Sequence, residues 1–177
     1  MTPQLLAALE ANRSDLARQC EIAGLDADGL EDFIAHEMAR NGADWAVGIE
    51  LLAMCCNIPD RTAKLRTLSR LLLTPAHHQH QAVTMEMQQM ADPASIDAIR
   101  ATLDKGFGDF AYTCSDDNVI AKWFGHALWK IGTPEAIALI REHARSPNPL
   151  VAEEMRYRLE RIAEDTPDLL VAAGPTA

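Results

Sequence analysis

The sequence predicts an all-α fold, an α-α superhelix built from antiparallel helix pairs. Three observations predict it. Ala, Leu, Met, Glu, Gln and Arg dominate the 177 residues, and these are the helix formers. Apolar residues recur at helical spacing in nearly every segment. A helix–turn–helix pattern then repeats in the second half of the chain. Residues 80–99, HQAVTMEMQQMADPASIDAI, lie over residues 121–140, AKWFGHALWKIGTPEAIALI. Residues 118–128, NVIAKWFGHAL, lie over residues 149–159, PLVAEEMRYRL. One such pair cannot bury both of its apolar faces, and stacking on neighbours supplies the continuous core.

The elements follow in order. Thr2-Pro3 is a cap with proline at the first helical position, and Leu5, Leu6, Leu9, Leu16 and Cys20 continue from it. Gly24 to Gly29 reads as a loop whose Asp28, with Glu31 and Asp32, suits the start of the next helix. That helix carries Leu30, Phe33, Ile34 and Met38 and stops at Asn41-Gly42. Asp44 to Cys56 is the most apolar helix, with Trp45, Ile49, Leu52 and Cys56 in line. Asp60 to Leu73 follows, with Leu65, Leu68, Leu71 and Leu72 inward and Arg61, Lys64, Arg66 and Arg70 mainly outward. Thr74-Pro75 ends it, and a helix is expected to open at His77 and His78.

The repeats come next. In the first alignment Val83 meets Phe124, Met87 meets Leu128, Ile96 meets Ile137 and Ile99 meets Ile140. In the second, Ile120 meets Val151, Ala121 meets Ala152, Phe124 meets Met155 and Leu128 meets Leu159. Gly132 is placed for a left-handed C-cap, Thr133 for an N-cap and Pro134 for the first helical turn. Asp92-Pro93 repeats that turn chemistry, and Ser146-Pro147-Asn148-Pro149 sets the last turn. The tail 166–177, TPDLLVAAGPTA, is expected to be irregular. The whole is expected to form one domain, with acidic helices over 1–60, repeats over 61–165 and the tail.

The strings MADPASIDAIRATL and ALWKIGTPEAIALIREHA resemble HEAT-like repeats of small bacterial proteins, over about residues 65–162. The resemblance implies a short right-handed stack of about four to five helix pairs that binds other macromolecules. It implies a shape rather than a reaction. Similar helical-repeat proteins include subunits of bilin lyases and immunity proteins encoded beside toxins. No catalytic residue, metal or cofactor follows from it.

Charge narrows the partner. The formal net charge is −10. Residues 1–60 hold eleven acids and three bases, and residues 61–177 fifteen acids and thirteen bases. Phosphate contacts need Lys and Arg, so direct nucleic-acid binding is disfavoured. A basic protein reached by electrostatic steering fits, as does plain solubility. The N-terminus lacks a basic, apolar leader pattern, no apolar run is long enough to span a bilayer, and the four cysteines show no zinc or disulfide spacing. A cytoplasmic protein with reduced thiols is expected.

The connection GFGDFAYTCSDD is the candidate binding site. It is longer than a helix-pair turn needs, and it places Phe107, Asp109, Phe110, Tyr112, Asp116 and Asp117 ahead of Trp123. Aromatics among acids can anchor a basic partner. The plainer reading tucks the aromatics back onto the stack. The stretch HHQHQ holds His77, His78 and His80. His77 and His80 have helical metal-ligand spacing, with Asp116 or Asp117 as a third ligand that the sequence cannot place beside them; the expected role is that His77 and His78 cap or pack at a helix start, and that His80, if inward, satisfies a neighbouring carbonyl. Cys55-Cys56 reads as core. Glu153, Glu154 and Glu160 with Arg156, Arg158 and Arg161 read as a solvated, paired face.

The expected function is non-catalytic protein binding, concretely an immunity protein sitting on a basic toxin domain. The alternatives are a lyase-like subunit handling a tetrapyrrole, with Cys114 and the nearby aromatics as its candidates, or a structural adaptor.

Overall fold

The computed structural model describes residue 52, residues 55–75 and residues 77–174. The helices expected before Asp44, with the Gly24–Gly29 loop, lie outside the described residues; of the expected Asp44–Cys56 helix, Leu52, Cys55 and Cys56 are described, and they are helical. Among the described residues every regular element is helical, and no helix is long and apolar enough to cross a membrane. The chain divides into two compact units, Met1–Val83 and Thr84–Ala177.

In the first unit, helix α1 (Arg61–Leu72) is capped by Asp60, whose carboxylate accepts from Ala63 N at 2.7 Å. Leu65, Leu68, Leu71 and Leu72 are buried and Arg61, Arg66 and Arg70 exposed, as the 3.6-residue period requires. Thr67 is buried too, but its hydroxyl donates to Ala63 O at 2.8 Å, so no polar group is left unsatisfied there.

Helix α2 (His80–Met90) begins later than expected. His77, His78 and Gln79 lie in the turn before it, and His78 has φ +55. That left-handed backbone cannot belong to a right-handed helix. The unit boundary falls within α2.

In the second unit, Asp92 accepts from Ala94 N at 3.1 Å and opens a single 3₁₀ turn, Pro93–Ser95, ahead of α3 (Ile96–Lys105). A second 3₁₀ segment, Gly108–Thr113, fills the connection. Helix α4 (Asp117–Ile131) ends at Gly132, φ +66, and Thr133 caps α5 (Pro134–His143) by accepting from Ala136 N. A side chain at Gly132 would be strained by that φ. Asn148 caps α6 (Pro149–Asp165), accepting from Leu150 N and Val151 N. The tail is not irregular as expected: Pro167–Ala172 form a short helix, α7.

Helices α4, α5 and α6 pack on one another; α3 packs on α4 and α5, and α7 on α5 and α6. The aligned repeat positions have matching burial. Val83, Phe124 and Met155 are all fully buried, as are Met87 and Leu128, and Ile99 and Ile140. The pattern weakens at the last unit, where Leu159 is only half-buried.

Arg141 fastens α7. Its Nη1 donates to Gly174 O at 2.7 Å and Ala173 O at 3.3 Å, and its Nη2 to Leu170 O at 3.0 Å. A cation at a helix C-terminus, bonded to carbonyls that lack intrahelical donors, is favourable. Arg141→Ala is expected to cost about 2 kcal/mol and to release the tail. Limited proteolysis checks it: cleavage within 166–174 should accelerate while the rest of the unit stays resistant.

Helices α3 and α5 are joined at the surface as well. Arg100 Nη1 donates to Glu142 Oε2 at 2.6 Å, which holds the Glu142 carboxyl below its usual range. His143 Nε2 lies 3.3 Å from Asp104 Oδ1 and its Nδ1 3.2 Å from Leu139 O.

Candidate functional site

The expected docking loop is mostly turned inward. Phe107 and Phe110 are buried, and their rings meet each other edge to face at 5.6 Å. Phe107 stacks on Phe124 at 5.9 Å, and Phe110 meets the same ring at 6.1 Å and Trp123 at 6.3 Å. This is aromatic core packing, which adds about 1 kcal/mol per pair beyond burial. Neither phenylalanine is presented to a partner. Asp109 is paired with Lys105 one turn back, and Asp117 accepts from Asn148 Nδ2, tying the start of α4 to the cap of α6. Of the seven expected contact residues, Asp116 is exposed, and Tyr112 and Trp123 are half-buried. Cys114 is exposed with φ +52, and the aromatics proposed to line a tetrapyrrole site beside it pack on one another instead.

The histidines of HHQHQ close the end of α1. His77 is almost wholly buried. A backbone N–H can only donate, so the 3.0 Å bond from Gln79 N makes His77 Nδ1 the acceptor. The proton is therefore on Nε2, which donates to Leu71 O at 2.5 Å. His80 points inward, and its Nε2 donates to Thr74 O at 2.9 Å. The two rings lie 4.2 Å apart. Burial first, then the neighbouring His80, depress the His77 imidazole to about 3, so it is neutral in the fold. Both Nε2 atoms are engaged with carbonyls. Among the described residues no three His, Cys, Asp or Glu side chains form a group able to hold a metal ion.

Cys55 is fully buried, and burial together with Cys56 pushes its thiol up to about 12. A thiol held that high is a small hydrophobe rather than a nucleophile.

Arg158, read as part of a solvated face, is only 2 % exposed. Its Nη2 donates to Glu154 Oε1 at 2.7 Å and its guanidinium carbon lies 5.6 Å from the Trp129 ring centre and 5.7 Å from that of Tyr157. Space for it comes from Gly125 of α4. A Cβ there would stand 3.4 Å from Arg158 Nε and 3.6 Å from its Cγ. Burying a charge is tolerated when it is paired, and here a carboxylate and two rings supply the pairing. Its Nε has no hydrogen-bond partner. Trp129 is fixed in turn, donating from Nε1 to Thr166 Oγ1 at 3.0 Å and stacking on His126 at 6.2 Å. Burial, and then the positive Arg158 and Lys122, lower the His126 imidazole from its ordinary value.

The arrangement thus joins α4 to α6 through Gly125, His126, Trp129, Glu154 and Arg158, and ends outward in Tyr157, which is half-exposed. Its chemistry is that of a buried, internally paired cation: one carboxylate, Glu154, and two rings, Trp129 and Tyr157, hold Arg158. Compared with models of protein families, with curated proteins and with solved structures, the chain matches none.

Proposed function

We propose that this protein is a non-catalytic, HEAT-like helical-repeat module that binds another protein. The observation that carries the reading is the two-layer packing of the second unit. Helices α4 and α6, the first members of successive pairs, pack on each other, and α5 packs between α3 and α7, the second members. Like helices packed on like, at positions that align in sequence, are what a stack of antiparallel pairs requires. Such a stack offers long helical faces for docking.

The partner is basic. A net charge of −10 favours encounter with a cationic surface over a phosphate backbone. In its concrete form the proposal is an immunity protein that covers and neutralises a basic toxin domain in the cytoplasm.

Affinity retention from the native cell lysate, at low and at high salt, tests it. The expected result is one basic protein retained at low salt and released at high salt, since exposed charge pairs are screened. Recovery of no protein at either salt concentration counts against the reading.

A further inference from the structure

Helix α6 supplies counter-charges to its own acids except around one residue. Glu154 is paired with Arg158, and Glu164 and Asp165 with Arg161. Glu153 and Glu160 are exposed and meet no base among the described residues. They stand one turn before and one turn after Tyr157, so the three share a face of the helix. Arg156 has the right spacing to neutralise either one, three residues from Glu153 and four from Glu160. Its Nη1 instead donates to Ala144 O at 3.2 Å. The local counter-charge is diverted into the fold, and two carboxylates are left open.

Tyr157 lies between them, 50 % exposed. Its ring is braced by the Arg158 guanidinium at 5.7 Å, which is itself held by Glu154 and Trp129. A ring positioned before binding loses little freedom on binding, and tyrosine is enriched among residues that dominate interface energies.

From this geometry we infer that the stripe Glu153, Tyr157 and Glu160 is the docking surface for a basic polypeptide segment, with an arginine stacked on Tyr157 and paired with a flanking glutamate. Charge complementarity selects the occupant: two uncompensated carboxylates around an aromatic face match a guanidinium, which stacks and forks to a carboxylate. An ammonium does neither as well. The inference rests on the protein-binding reading and gives it a surface. It also moves that surface away from Phe107 and Phe110, which the fold has buried.

The test uses the full chain and two fluorescent peptides of equal charge, one with arginines spaced by glycine and one with lysines, read by fluorescence anisotropy at low salt. The arginine peptide is expected to bind the tighter. E153Q/E160Q and, separately, Y157A are each expected to weaken it about tenfold. A control, E135Q/D168N, removes the same charge from other exposed sites and is expected to change affinity less than about twofold. All five positions are exposed, so the variants keep the fold, which circular dichroism verifies. Equal weakening in the control shows diffuse electrostatics and overturns the siting, while leaving protein binding in place. A wild-type chain that binds neither peptide also overturns it; the protein-binding reading is then decided separately by lysate retention.

Discussion

Phe124→Ala is expected to cost about 3 to 5 kcal/mol, the largest loss of any single truncation in the second unit. Phe124 is wholly buried, and Phe107 and Phe110 both rest on its ring. Its removal leaves a cavity that the 3₁₀ connection cannot fill without moving, because the same two phenylalanines hold that connection to the stack. The loss is therefore expected to be shared: urea unfolding should shift to lower midpoint, and protection of the Gly108–Thr113 amides should fall with it. Trp123→Ala is the comparison. Trp123 is half-buried and touches the cluster from its edge, so about half that cost is expected. If both variants lose about 1 kcal/mol or less, the aromatic connection is not core.

Acid is expected to destabilise the first unit through His77. The folded value of about 3 lies below the ordinary value of 6.5, so the unfolded chain binds a proton that the fold refuses. Stability is fully present above about pH 6.5 and is lost as pH falls toward about 3. Each pH unit within that window removes up to about 1.4 kcal/mol, giving a total of roughly 3 to 5 kcal/mol at the lower end. Protonating Nδ1 would also set a donor against the Gln79 N–H that now donates to it. His77→Gln keeps an amide donor for Leu71 O but has nothing to titrate. The difference between wild type and variant, followed by chemical unfolding between about pH 4 and 7, isolates this group from the carboxylates. Parallel curves would mean His77 is not held neutral in the fold.

Much of the helical plan was legible because it is local chemistry. Thr133 and Asp92 were readable as caps from the proline that follows each, and Gly132 as a left-handed stop. The repeat register predicted burial at Val83, Phe124 and Met155. What was not legible depends on contacts far apart in sequence. The tail became a helix because Arg141 and α5 receive it, and neither is near it in the chain. HHQHQ looked like a helix start because Pro75 precedes it. Its imidazoles in fact reach back to Leu71 and Thr74, and a bond spanning six residues has no periodic signature.

Arg158 is the instructive case. Its charge and the neighbouring glutamates suggested solvent, and Glu154 does pair with it as helical spacing predicts. Yet the same repeat alignment carried the contrary signal, since it places Arg158 over Ala127, which is fully buried. Register was the better guide than residue type, because Gly125 leaves the room and Trp129 the cover. The acids were harder to rank. Nothing in sequence distinguishes Glu153 and Glu160 from Asp109 and Asp117. Only the fold shows that the latter are spoken for by Lys105 and Asn148, and that Arg156 is drawn away from the former.

The central claim is that this acidic chain works by holding a basic protein. Zero-length carbodiimide crosslinking in its own cells, followed by mass spectrometry, tests it most directly, because the reagent joins a carboxylate to an amine in contact. The Lys105–Asp109 pair provides an internal positive control. The account predicts, beyond that link, crosslinks from lysines of one basic protein to Asp or Glu of this chain. Recovery of the internal link alone, with no partner joined to it, would contradict the account.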